Sequence, residues 1–427
     1  MKTVTEFLEE HRLRASVNDI GNLVRIFMED MSDGLRGKEG ALRMIPTYIE
    51  AENDFHKDIP VLAIDAGGTN FRASLISFTS SGRTENSEII NYRMPGLDRE
   101  ISAVEFFSTI AGYVRPLAES AGRIGFCFSY PTEILPGKDG RLIQFCKEVR
   151  APEVVGRLIG KGLLEALGTP EKHIVIINDT VATLLAGKSV SLDVPYDSYI
   201  GYILGTGTNS CYIEQNSNIL KNRDQDQSGS QIINIESGNF NKAPRSDLDI
   251  IFDNTTVDPG SYTFEKMFSG GYFGGLCLSV LKAASGEGVF STRTAQMLES
   301  LKELSSNDAN SFAADPRPDL NVLKDCLADE RDAENCRRII DSLIDRAAAL
   351  VTANLAAVVL KTGKGKSSEH PLLITVEGTS FYKMHNLKAR FENYFYNYLS
   401  GNMKRNVEFT TVARSGLIGA ALAALID

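Results

Sequence analysis

The chain has 427 residues, 45 Lys and Arg against 55 Asp and Glu, and a net charge of −10 at pH 7. At roughly 150 residues per domain that length allows two or three domains, and a composition 43% hydrophobic and 23% charged excludes a disordered or collagen-like chain. The acidic balance excludes a nucleic-acid binder that works by neutralising phosphates, though local dipoles can still hold one polyphosphate.

Residues 1 to about 58 read as helices, because EFLEEHRLR and IGNLVRIFMEDM carry apolar residues at helical spacing. VLAIDAGG then reads as a buried strand, FRASLISF as an alternating strand and EIINYRM as a third. An amphipathic helix follows over ISAVEFFSTIAGYVRPLAESAG, then a buried strand over RIGFCFSYP and a helix over VVGRLIGKGLLEAL, closed by Gly168. HIVIIND is a buried strand and TVATLLAGKSV a helix. A second cycle opens with YIGYILGTG and its hairpin partner NSCYIEQ, then a polar stretch over 216–231 and the strand QIINIES. The section 262–361 reads as largely helical, PLLITVEGT as a buried strand, and KTGKGKSSEH as a flexible surface turn. Strands joined by helices imply a mixed, mostly parallel sheet with helices on its faces. The two halves share a plan of strand, Gly-Thr-rich turn, strand.

Cys127, Cys146, Cys211, Cys277, Cys326 and Cys336 form no C-x-x-C pair, and several sit in apolar runs. They read as reduced, buried thiols of a cytoplasmic protein. No metal-ligand cluster is visible among the His and Cys residues. The charged N-terminus lacks the apolar core of a signal peptide, and no run is expected to reach the ~20 apolar residues of a membrane span.

Five groups of residues carry chemistry. In VLAIDAGGTNFRASLISF a strand delivers Asp65, then Gly67, Gly68, Thr69 and Asn70. Paired glycines allow positive φ, the amides of such a turn cup an anion, and a carboxylate at the strand end suits a hydrated Mg²⁺. An ordinary Gly-rich hairpin explains the same string. ILGTGTNSCYI repeats the plan; Ser210 stands where a dinucleotide fingerprint needs Gly, and a strand follows instead of a helix. Two such turns facing each other would hold one polyphosphate. Asp179, where IVIIN meets a helix, is either a helix cap or a carboxylate at the C-terminal edge of a sheet, able to accept a hydroxyl proton. Ser129 of FSYP and Lys147 of QFCKEV would suit a polyol beside Asp179, a turn residue and a solvated charge being the plainer readings. INIESGNF and TFEKMFSGGY contribute Glu236 and Glu265; Glu265 reads equally as a surface carboxylate paired with Lys266. GKS at 365–367 is no Walker A loop, because Leu360 stands where Gly is required.

In this order, from about residue 59 to the C-terminus, these segments resemble the hexokinase family, within the superfamily of actin and sugar kinases, in its bacterial-type single-unit hexokinase or glucokinase form. AIDAGGTNFR resembles the family's first phosphate loop and LGTGTN its second. GFCFSYP, INDTV, NIESGNF and FEKMFSGGY resemble its sugar-binding segments. The zinc-binding cysteine cluster of ROK-type glucokinases is missing.

The resemblance implies an α/β chain with a two-lobed actin-like ATPase (ribonuclease-H-like) fold of hexokinase type and an active-site cleft between lobes. The small lobe would take 60–194 plus 412–427, the large lobe 1–59 plus 195–411. The implied reaction moves the γ-phosphoryl group of Mg-ATP to the 6-hydroxyl of a hexose such as glucose, with Asp179 as base. Ser129, Lys147, Asn178, Asn209, Glu236 and Glu265 would bind the sugar. Gly67, Gly68, Thr69 and Asn70 would cradle the phosphates with Gly205, Thr206, Gly207 and Thr208, and Arg72 is a cation beside the first loop. Asp65 would hold Mg²⁺ through water; Gly378, Thr379 and Ser415 would lie near the adenosine. The implied partners are hexose and ATP, with no nucleic acid and no membrane. The chain departs from the family pattern at Cys146, where Thr is common, at Ser261 for Gln, at Arg414 for Gly and at Ile418 for Lys or Arg. These departures sustain an alternative, a catalytically weak sugar-binding regulatory protein on the same fold.

Overall fold

The computed structural model describes residues 2–80, 83–145, 149–191, 194–315 and 321–426. Two sheets carry the fold. The first runs Thr84–Asn86, Asn70–Phe78, Val61–Gly67, Arg123–Phe128, His173–Ile177, with Ile90–Arg93 also paired to Asn70–Phe78. The second runs Ile45–Pro46, Ser230–Asn234, Thr208–Gln215, Ser198–Leu204, Leu372–Glu377, Val407–Thr410. Each begins with an antiparallel hairpin and continues through parallel strands on the other side of its first strand. The shared order makes the two halves one plan used twice.

Both faces of both sheets are covered, which is why the central strands read as continuous apolar runs. Alternate side chains serve different cores. Leu62, Ile64 and Ala66 face the helices Ala103–Ala118 and Ile159–Leu167, while Val61 and Ala63 join the cluster around the helices Asp179–Ser189 and Ser415–Leu425. On the second sheet Cys211, Ile213 and Ile232 face that same cluster, and Ile200, Tyr202 and Tyr212 face the long helix Glu330–Thr362. Two helices are thus held between the sheets.

Several expectations change in the structure. Helices end at Leu35, and 36–58 is irregular apart from Ile45–Pro46, since Gly37, Gly40 and Pro46 break the period. The helix expected from Val154 starts at Ile159, after Gly156 at φ +82°. A hairpin of Thr132–Ile134 and Gly140–Leu142, three residues a side, was too short to show as a pattern. The expectation that no segment reaches membrane-spanning length and apolarity is overturned: Glu330–Thr362 passes both tests. Its most apolar 18-residue window is 89% buried inside the fold, so that apolarity fills the core of the second half.

These two helices approach at Gly419, where a Cβ would lie 2.0 Å from the Ala182 carbonyl oxygen. Gly419→Ala should therefore lower stability by about 2–3 kcal/mol, read as a fall in denaturant midpoint with an unchanged slope.

Candidate active site

The first glycine turn joins Val61–Gly67 to Asn70–Phe78 with Gly67 opposite Asn70 and Asp65 opposite Arg72. Gly68 takes φ +61°, the left-handed conformation glycine adopts without strain. The Tyr130 hydroxyl donates to the Gly68 carbonyl at 2.9 Å, and Met94 N–H to the Thr69 carbonyl at 3.0 Å. Thr69 and Asn70 are exposed at the tip. Arg72 reaches Asp65 at 3.6 Å. Ser129 sits under this turn: a Cβ on Gly67 would lie 3.1 Å from its Oγ.

Asp65 has acidic company. Burial pushes its carboxyl up to about 6; Arg72 opposes this, and the charges of Glu377 and Asp179 add to it. Glu377 accepts hydrogen bonds from Thr183 Oγ1 at 3.1 Å and from the Ser415 hydroxyl. A Cβ on Gly416 would lie 2.8 Å from the Asp65 carboxyl carbon, so only glycine lets the C-terminal helix start against that carboxylate. Among the described residues no group of three His, Cys, Asp or Glu side chains is arranged to hold a metal directly. The donor set instead fits Mg²⁺, which keeps several waters and needs one or two carboxylates. Such a cation would relieve both the burial of the Asp65 charge and its repulsion by Glu377 and Asp179.

Asp179 opens the helix Asp179–Ser189, capped by Asn178, whose Oδ1 accepts the Thr180 N–H at 2.9 Å. Asp179 Oδ1 accepts the same N–H at 2.8 Å. The Asp179 charge is felt by Asp65 and also by Glu236, whose carboxyl is raised by burial first and by Asp179 as well. Glu236 adopts φ 60°, a conformation costly for a side chain with Cβ and concentrated at functional sites. Its Oε1 accepts from Asn234 Nδ2 at 2.8 Å, and Asn234 Oδ1 accepts from Asn209 Nδ2 at 2.7 Å. Asn209 Oδ1 in turn accepts the amides of Ser210 and Ser237 at 2.7 and 3.2 Å. Two residues named from the sequence are thereby locked through a third, Asn234.

The second glycine turn is laced to the segment after Glu265. Thr208 N–H donates to Glu265 Oε2 at 2.8 Å, Gly270 N–H to the Gly205 carbonyl at 2.8 Å and Gly271 N–H to the Thr206 carbonyl at 2.8 Å. A Cβ on Gly207 would lie 2.5 Å from Glu265 Oε2. The Thr208 hydroxyl is buried on Tyr202 and the Ile203 carbonyl, so Thr208 shapes this turn from within, while Thr206 is exposed at its tip. The Lys266 ammonium is buried on Asp253 at 2.6 Å. Gly378 holds φ +114°, where a Cβ would lie 2.2 Å from the Leu204 carbonyl oxygen, and Ser380 Oγ donates to the Gly205 carbonyl at 2.9 Å. Thr379 is exposed beside it. Ser415 is buried, its hydroxyl given to Glu377.

Lys147 and Cys146 lie outside the described residues. Arg414 takes φ 62° before the C-terminal helix, which explains why glycine suits that position. Ile418 is half-buried against the cluster between the sheets, and Ser261 follows Gly260 at φ +82°. Sequence reasoning missed Asn234, Glu377 and Gly416. Asn234 and Glu377 had a signal, being polar ends of apolar strands (QIIN, LLITVE); Gly416 had none beyond a Ser-Gly pair.

Comparison with known proteins agrees with this geometry. Two family models, both described as Hexokinase, match residues 4–189 and 199–426. The chain is 32% identical over 382 residues to human Hexokinase-3, covering 83% of this chain and 40% of that protein. It is 28% identical over 433 residues to the Hexokinase-like 1 protein of Arabidopsis thaliana, covering 94% and 87%. Among solved structures, the hexokinase of Schistosoma mansoni complexed with glucose superposes with a TM-score of 0.77 at 24% identity, covering 99% of this chain and 98% of that one. The chain belongs to the hexokinase family, and its fold is the two-lobed α/β hexokinase fold. It spans less than half the length of the human relative.

Asp65→Asn should stabilise the protein at neutral pH by about 2–3 kcal/mol, because a carboxyl raised from 3.8 to about 6 loses native stability as it ionises. The gain is expected in full above pH 6 and to vanish as pH falls through that window towards 4, measured by thermal unfolding across pH.

Proposed function

We propose that this protein transfers the γ-phosphoryl group of Mg-ATP to the 6-hydroxyl of a hexose. The observation that carries this reading is the position of Asp179, at the start of its helix and within electrostatic reach of both Asp65 and Glu236. One carboxylate thus acts on both the acid of the first hairpin and Glu236, which supports its reading as the base. The glucose named with the Schistosoma mansoni hexokinase supports a hexose as substrate.

Hexose hydroxyls both donate and accept, so the pocket needs partners of fixed direction. Asn209 and Glu236 are held by Asn234, and Asn178 keeps an amide nitrogen to donate once its oxygen caps the helix. Glu265, braced by Thr208 N–H, and Ser129 and Lys147 complete the proposed sugar set. Asp179 would take the hydroxyl proton. Gly67, Gly68, Thr69 and Asn70 would face Gly205, Thr206 and Gly207 across the phosphates, with Arg72 beside them and Gly378, Thr379 and Ser415 towards the adenosine. Mg²⁺ bound through Asp65 would neutralise the phosphate charge, and catalysis would be chiefly positioning and charge stabilisation. We assign 60–194 and 412–427 to one lobe and 1–59 and 195–411 to the other, because the C-terminal helix packs on the first sheet. The five described cysteines are buried free thiols, which suits a reducing, cytoplasmic setting.

A coupled assay of ADP formation across glucose, mannose and fructose tests the reading. Sugar-dependent turnover supports it, sugar binding without turnover favours the regulatory alternative, and sugar-independent hydrolysis sinks it. Asp179→Ala should lower kcat by at least about 10³-fold with an unchanged unfolding curve; retained turnover would dismiss Asp179 as the base.

A further inference from the structure

A cavity of about 630 Å³ lies where residues 8–20 cross the helices Glu330–Thr362 and Leu387–Tyr396. It shares no residue with the site above. Asn18 lines it and is only 6% exposed, yet both polar atoms of its carboxamide lack a hydrogen-bond partner. Leaving a buried amide unsatisfied costs about 1–3 kcal/mol per group, and native structures rarely keep such groups without a reason. The other charges around the cavity are unequal in their commitments. Arg390 is neutralised by Asp341 at 2.6 Å, and Asp345 accepts the Tyr394 hydroxyl at 3.1 Å. Arg338 is exposed; it acts on the Glu334 carboxylate of its own helix only through space, and its hydrogen bond goes to the neutral Thr5 hydroxyl at 3.0 Å. The cavity therefore combines a buried carboxamide whose donor and acceptor have no protein partner, an apolar and aromatic wall including Ile20 and Tyr394, and an exposed arginine whose hydrogen bond goes to a neutral hydroxyl.

The geometry points to a second ligand site in this cavity, for a nucleoside monophosphate. A carboxamide presents a donor and an acceptor side by side, the complement of the adenine N6/N7 edge. A planar base suits the wall of Tyr394 and Ile20. Guanidinium groups bind phosphate through several directed N–H donors, a role for Arg338. The volume falls within the 300–1,000 Å³ usual for small-molecule sites, ample for a nucleotide and oversized for inorganic phosphate.

The test is calorimetric titration of AMP into the full-length protein, repeated with saturating ATP and with Asn18→Ala and Arg338→Gln variants. The expected result is saturable AMP binding that persists with ATP present. It should weaken about tenfold or more in Asn18→Ala and several-fold in Arg338→Gln, with hexose KM unchanged in both. Arg338 is a surface side chain, so its variant decides the matter should Asn18→Ala misfold. No AMP binding, binding abolished by ATP and indifferent to both substitutions, or glucose 6-phosphate bound there with AMP refused would each overturn the assignment.

Discussion

The site depends on two helices held between two sheets. Asp179–Ser189 and Ser415–Leu425 pack together closely enough that Gly419 must lack a side chain. Each begins at the C-terminal edge of the sheets, where open α/β folds bind ligands. Their starts bring Asp179, Ser415 and Gly416 to Asp65 and Glu377. Glu377 ties the arrangement together, since it sits on the second sheet and accepts from a hydroxyl of each helix. The acids are costly neighbours: burial, with some addition from the nearby acids, lifts Asp65 to about 6. Such strain is retained where charge serves a ligand, and the proposed Mg²⁺ would relieve it.

The side proposed to face the sugar is ordered by hydrogen bonds such as those joining Asn209, Asn234 and Glu236. The Asn209–Asn234–Glu236 chain fixes two polar groups whose free rotation would blur discrimination between hydroxyls. Glu265 is braced by the Thr208 N–H at 2.8 Å, and the lysine next to it in the chain is committed elsewhere. Asp253 takes Lys266 at 2.6 Å and Arg245 at 2.9 Å, which removes the neighbouring cation from competition. The Arg346–Asp249 pair, bidentate at 2.7 Å and almost fully buried, anchors the long helix to the short helix Asp247–Asp253 on the same side. Paired buried charges of this kind are weak contributors to stability but strong in fixing geometry once formed.

The strands of the fold were legible because both faces of each sheet are covered, turning them into unbroken apolar runs such as VLAID and HIVII. The glycine turns were legible for another reason: Gly68 holds positive φ, which few other residues tolerate, and a Cβ on Gly207 would lie 2.5 Å from Glu265 Oε2. Thr208 shows the limit. Its place in a Gly-Thr turn suggested a phosphate contact, yet its hydroxyl points inward and its amide serves Glu265. Composition also misled in the helix Glu330–Thr362, whose apolarity is that of a core element.

The sequence by itself determined the order of elements, the repeated hairpin plan and the residue types at the ends of the strands, because these follow from local periodicity and turn chemistry. Only the tertiary structure decided which of those ends meet. Asp65 and Gly416 stand about 350 residues apart in the chain, and their contact comes from the final helix returning to the first sheet. Glu377, Asn234 and the Asn18 cavity were decided the same way: each depends on segments distant in sequence being packed side by side, which no local pattern encodes.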